Sequence, residues 1–301
     1  MNKFLMIFVD GVGIGKKDYE FNPFFKYGFK TFQNIFGDIP HLGARELVKD
    51  GLFLFPSDAN LGVEGLPQSG TGQTSIFGGV NAPKFIGKHF GPYPYSSLIP
   101  VVETENIFRH FKQRDRNFCF ANAYPNVFFE YIASGKQRLS VTTMSLHLND
   151  IRLNTVEDVI AGKALTADIT NERWNDKLGY DLPVITPKEG AERLLKIAEE
   201  NEFTCFEYFM TDHLGHWRNK DEFDYTFKVI DEFLYNVITL LDKENMTLLI
   251  CSDHGNLEDL SVKMHTRNPA LTIAAGKYGE YLYHSIKDLS DIKNSVIEIL
   301  G

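Results

Sequence analysis

The chain has 301 residues, with 40 acidic against 31 basic side chains, a formal net charge of −9, and 43% hydrophobic and 24% charged residues. At about 150 residues per domain this allows one or two globular domains, and it excludes a disordered or fibrous chain. The acidic balance argues against a nucleic-acid binder, which needs a basic face, although bound cations can still make a single site attractive to phosphate.

The first apolar run, residues 3–9 (KFLMIFV), stops at Asp10-Gly11 and is far shorter than the roughly 20 residues that span a bilayer. Neither a leader peptide nor a membrane anchor is expected. The run reads as a buried strand, as do residues 117–121 (NFCFA), 203–210 (FTCFEYFM) and 246–251 (MTLLIC), with 270–275 (ALTIAA) as a fifth candidate. Helical spacing appears at residues 187–201, where Ala191, Leu194, Leu195, Ile197 and Ala198 form a stripe, and again at 222–241. Buried strands alternating with amphipathic helices predict an α/β, three-layer αβα fold with a mainly parallel sheet. Residues 128–187 break the rhythm and are expected to form a small inserted cap, leaving 1–127 and 188–301 as the core. Cys119, Cys205 and Cys251 each fall within a predicted strand, which predicts no disulfide framework and a cytoplasmic setting.

In sheets of this kind, ligands sit beyond the carboxyl ends of the strands. Asp10 follows the first run, Asp212 closely follows the third, and Ser252-Asp253-His254 follows the fourth. One such Asp is an ordinary turn former or helix cap. Here, however, His216 lies four residues beyond Asp212, within reach of a shared ion, and His265 follows eleven residues after His254. Mixed imidazole and carboxylate suit zinc or manganese better than calcium. His213 faces another side of its turn and reads as a supporting residue, whereas His41, His89, His110, His147 and His284 have no ligand spacing.

The Gly-rich stretch 65–79 (GLPQSGTGQTSIFGG) leads into a helix start, where free N–H groups can hold an oxyanion and a hydroxyl can serve as a nucleophile. Asp10-Gly11-Val12-Gly13-Ile14-Gly15-Lys16-Lys17 fits neither a Walker loop nor the dinucleotide fingerprint. Lys112, Arg114 and Arg116 read as a solvated helix end.

In this order, Asp10-Gly11, the hydroxyl at a Gly-rich helix start, Asp212-x-x-x-His216, Ser252-Asp253-His254-Gly255-Asn256 and His265-Thr266-x-Asn268-Pro269 resemble the alkaline phosphatase superfamily. The similarity is greatest to its branch of cofactor-independent phosphoglycerate mutase and phosphopentomutase. The resemblance implies two divalent metal ions, manganese or zinc. One would be held by Asp212, His216 and His265, the other by Asp10, Asp253, His254 and the nucleophile. It also implies Ser69, three residues before Gly72, as that nucleophile, with Thr71 as the alternative. The mutases carry Gly-His where this chain has Gly72-Gln73, and the stretch from Ser69 to Asp212 is too short for the large phosphate-gripping domain of phosphoglycerate mutase.

The function expected is a metal-dependent phosphomonoesterase acting on a small phosphorylated substrate through a phosphoserine. A mutase and a phosphodiesterase are the alternatives, and a non-catalytic metal-binding protein is the reading from a different class. Neither a nucleic-acid nor a membrane partner is expected, oligomeric state is left open, and substrate choice would rest on cap residues near Asp168, Arg173 and Trp174.

Overall fold

Strand β1 (Lys3–Val9) occupies the middle of the sheet because every residue from Phe4 onward is buried, so both faces of the strand must be covered. Leu5, Ile7 and Val9 point to one face and Phe4, Met6 and Phe8 to the other, and the two sets belong to separate hydrophobic clusters. The computed structural model describes residues 2–136, 138–217 and 220–301. The other strands are β2 (Leu47–Lys49), β3 (Leu52–Ser57), β4 (Phe118–Phe120), β5 (Phe203–Tyr208), β6 (Met246–Cys251) and β7 (Ala270–Gly276), in the order β2-β3-β7-β6-β1-β5-β4. Strands β6, β1, β5 and β4 are mutually parallel, while β7 is antiparallel to both β6 and β3, and β2 is antiparallel to β3. All strands but β2 and β7 therefore run the same way, and the sheet is mainly parallel in direction.

The helices that bear on the site are α1 (Ser69–Gly78), α2 (Ile107–Gln113), α3 (Val141–His147), α4 (Glu172–Leu178), α5 (Pro187–Glu200), α6 (Met210–Gly215), α7 (Phe223–Leu240) and α8 (Asp291–Leu300). Helix α5 starts at a capping box made by Thr186 and Glu189, with Pro187 in its first turn. Its apolar stripe packs with α7 on the Leu5 face, whereas α1, α2, α3 and α8 supply the cluster on the Phe4 face. The three-layer expectation holds.

Three details differ from the sequence reading. Strand β5 stops at Tyr208, and Met210 already opens α6, so Asp212 stands in a first helical turn. The strand expected at 117–121 shortens to Phe118–Phe120. Strands β2 and β3 were not expected. Pro56 interrupts the apolar pattern of β3, yet it is tolerated because β2 pairs only with Leu52, Phe53 and Leu54, leaving Pro56 bordered by β7 alone.

Residues 128–187 pack in three ways. Leu139, Val141, Met144 and Leu146 join the Phe4-side cluster, Leu165 and Ile169 join the Leu5-side cluster, and Val159, Ala164, Trp174 and Leu182 form a small cluster with Ala123. No helix among the described residues is long and apolar enough to cross a membrane. The three cysteines are free thiols.

Candidate metal centre

Parallel β1, β5 and β6 deliver Asp10, Asp212 and Asp253 to one edge of the sheet. Because β7 runs the other way, the residues that precede it lie at that same edge, and they include His265. Gly11, with φ of +69°, lets the chain turn close past Asp212, where a Cβ would come within 2.9 Å of Oδ1. The Thr211 hydroxyl donates to the Asp10 carbonyl at 2.6 Å, tying the two loops together.

Asp212 Oδ1 lies 3.3 Å from His216 Nε2 and 3.5 Å from His265 Nε2, and those two nitrogens are 3.0 Å apart. The opposite ring nitrogen of each histidine faces a carbonyl: His216 Nδ1 lies 2.7 Å from Lys263 O, and His265 Nδ1 lies 2.7 Å from Pro67 O. A carbonyl only accepts, so both Nδ1 atoms carry hydrogen, which leaves each Nε2 turned toward the other and toward the carboxylate, free to act as a ligand atom once its proton is gone. Three such atoms at this spacing need protons or a metal cation among them to offset their repulsion. Backbone-anchored imidazoles of this kind are the usual arrangement of metal-binding histidines.

The second group is more deeply buried. His254 Nε2 lies 3.0 Å from Ser69 Oγ, 3.3 Å from Asp10 Oδ1 and 3.5 Å from Asp253 Oδ2. The His254 ring stacks on His265 with centroids 3.7 Å apart, which makes the two groups adjacent. Asp10 Oδ1 is buried without a hydrogen-bond donor. Burial, followed by the charges of Asp253 and Asp212, pushes the Asp10 carboxyl well above its ordinary range. Burial acts on Asp212 in the same sense, but the imidazoles of His216 and His265, then the charge of His254, hold it well below that range. Such a crowd of buried carboxylates has a physical rationale if divalent cations balance it, and the donor set fits such ions.

Ser69 and Thr71 differ in what their hydroxyls do. Ser69, the first residue of α1, faces His254 and lines a cavity of about 550 Å³. Thr71 is fully buried, donates to Gln68 O and accepts from Phe90 N. Gln73 reaches into the same group, with Nε2 at 3.4 Å from Asp10 Oδ2 and 3.5 Å from Asp253 Oδ2. His213 lines the cavity and packs its ring edge-on to Phe209, while His284 lies at the surface beside Glu280. Of the basic cluster, Arg116 pairs with Glu202 and Lys112 donates to Asn149 O, so both serve local structure.

Two carboxylates escaped the sequence reading. Glu258 is buried and accepts from Gly13 N, Asn256 N, Thr266 Oγ1 and Asn268 Nδ2, joining the loops that carry Asp10, His254 and His265. Glu207 lies inside β5, fully covered, where it accepts from Thr142 Oγ1 at 2.5 Å and borders the same cavity. An acid in the middle of an otherwise apolar run was the available signal for it.

Burial pushes the Glu207 carboxyl up to about 7 from an ordinary 4.5, despite the Thr142 hydrogen bond. Since the folded value exceeds the unfolded one, Glu207's stabilising contribution is complete below about pH 4.5 and is lost as pH rises through about 7. Between about pH 5 and about pH 8, metal-free protein should lose on the order of 2–3 kcal/mol of stability relative to Glu207→Gln, read from urea melts. Parallel pH profiles for the two proteins would contradict this.

This fold and site define a metalloenzyme with an alkaline-phosphatase-like architecture. The chain belongs to the Metalloenzyme superfamily, whose family model matches residues 2–301. Among solved structures it is similar to a protein from Pyrococcus horikoshii, with a TM-score of 0.56 and 13% identity over 99% of this chain and 96% of that one. It is also similar to the alkaline phosphatase from the Antarctic bacterium TAB5, with a TM-score of 0.54 and 11% identity over 99% and 98% of the two chains. Among curated proteins, the 2,3-bisphosphoglycerate-independent phosphoglycerate mutase of Gracilaria tenuistipitata var. liui is 27% identical over 40% of this chain, a match that spans only 26% of the mutase.

Proposed function

We propose that the protein is a two-metal phosphomonoesterase that works through a phosphoserine at Ser69. The observation that carries this reading is the Ser69 hydroxyl, set at the start of α1, 3.0 Å from His254 Nε2, and open to the cavity. Asp212, His216 and His265 would hold one ion, and Asp10, Asp253, His254 and Ser69 the other, with Asp212 also close to Asp10 and His254, and manganese or zinc suited to the mixed nitrogen and oxygen donors. When bound, the ions supply positive charge that lowers the pKa of the serine hydroxyl and neutralises the transferring phosphoryl group.

Ser69 Oγ releases its proton to water and forms the new bond to phosphorus as the ester P–O bond breaks, and the departing alkoxide takes a proton back from water. In the second half, a water oxygen bonds to phosphorus, the Ser69 Oγ–P bond breaks, inorganic phosphate leaves and Ser69 regains a proton. The amino end of α1 adds partial positive charge where the phosphoryl oxygens would lie.

Hydrolysis is favoured over a mutase because retention of a phosphorylated intermediate calls for a clamp on the substrate. Arg173 and Lys177, the basic residues of α4, are engaged by Glu222 instead. We also propose that the part of residues 128–187 around Asp168, Arg173 and Trp174, all of which border the cavity, acts as the cap. The three free thiols support a cytoplasmic location.

The test is product analysis on protein loaded with manganese or zinc and given phosphomonoesters. Release of inorganic phosphate, with an early burst of alcohol if dephosphorylation is slow, is expected. An isomerised ester without phosphate release would establish a mutase, and cleavage of diesters alone would establish a phosphodiesterase.

A further inference from the structure

Beyond Ser69 the cavity walls present more aromatic surface than positive charge. Tyr93, Tyr124, Phe128, Phe209 and Trp174 all contribute to the lining. The rings of Tyr124 and Phe128 stack with centroids 4.6 Å apart and planes 30° apart. Tyr93 is 39% exposed, and its backbone is held against the start of α1, where a Cβ on Gly70 would meet Tyr93 O at 2.2 Å.

The cations of the same walls are poorly placed to grip a second anion. Arg173 and Lys177 share Glu222, and Arg138 is exposed, where solvent screens its charge. Asp168 and Glu207 add acid to the lining. A leaving group carrying another phosphate or a carboxylate would therefore meet no unpaired, buried lysine or arginine among the described residues. A flat ring would meet rings, and stacking together with apolar burial favours it.

Resting on the phosphomonoesterase reading, we propose that the substrate is a phosphate monoester of an alcohol bearing a flat aromatic or heteroaromatic ring, seated against Phe128 and Tyr124. A small polyanionic sugar phosphate does not match these walls.

Phosphonates, which keep the head group and resist ester hydrolysis, allow binding to be measured apart from turnover. Calorimetry on the manganese-loaded wild-type protein would compare naphthylmethyl phosphonate, hydroxypropyl phosphonate and propylene bisphosphonate. The aromatic compound is expected to bind about tenfold tighter than the other two. Phe128→Ala should remove most of that preference and Phe128→Tyr should keep it. Tighter or equal binding of either competitor, no binding of the aromatic compound, or an unchanged preference in Phe128→Ala would overturn the proposal. Phosphate release from naphthylmethyl phosphate is scored separately. Aromatic preference without release keeps the substrate class and removes the hydrolase reading, whereas release without preference does the reverse.

Discussion

Ser69→Ala should reduce turnover of phosphomonoesters by about a thousandfold or more while leaving metal content close to that of the wild type. The first effect follows from the role proposed for the hydroxyl, since removing the nucleophile of a covalent mechanism leaves only binding and electrostatic stabilisation. The second follows from the ligand count. Asp10, Asp212, Asp253, His216, His254 and His265 all remain, and the Ser69 hydroxyl is one contact among several at His254 Nε2. Thr71→Ala provides the comparison. Thr71 bonds to Gln68 O and Phe90 N rather than facing the cavity, so its loss should cost some stability of the helix start and much less activity. Kinetics together with elemental analysis of both variants decides the assignment. Full activity in Ser69→Ala would remove the nucleophile, and loss of metal from it would show that the hydroxyl matters chiefly as a ligand.

Asp212→Asn should have the other large effect, on metal occupancy and stability together. Asp212 Oδ1 is the carboxylate atom that faces both His216 and His265, and the same residue also groups with Asp10 and His254. An amide lacks the negative charge, and Asn256 Nδ2, which donates to Asp212 Oδ1 at 2.7 Å, would favour one orientation of it over the other. Bound metal should fall from about two equivalents to one or fewer. In the wild type, free manganese at about one hundred times its dissociation constant should stabilise the fold by about 2.7 kcal/mol. That corresponds to a rise in Tm of roughly 4 °C for a chain of this size. Most of the rise should vanish in Asp212→Asn. Two retained equivalents and an undiminished shift would place the ions elsewhere.

Local burial explains how much of the fold could be read in advance. Strands β1 and β6 are wholly or almost wholly covered, so apart from Lys3 and Thr247 their runs are apolar, and they stop at Asp10 and Ser252. Helix α5 announces itself through its capping residues and its stripe. Strand β3 did not, because Pro56 breaks the pattern and the residue is acceptable only where β2 has already ended. The place of Glu207 was not legible although the acid stands openly in its run, because the Thr142 hydroxyl that receives it comes from a helix 65 residues away in sequence.

The residue types at the site, carboxylates and imidazoles after apolar runs and a hydroxyl at a Gly-rich helix start, were set out by the sequence alone, as were the layered α/β class and the superfamily resemblance. Each depends on composition and spacing within a few residues. Tertiary structure decided the rest. Strand direction and neighbour order are non-local choices that periodicity does not encode. The antiparallel course of β7 brings His265 to the edge where β1, β5 and β6 end. Packing of the segment around Trp174 over that edge, together with the loop held at Gly70, gives the cavity walls their aromatic character.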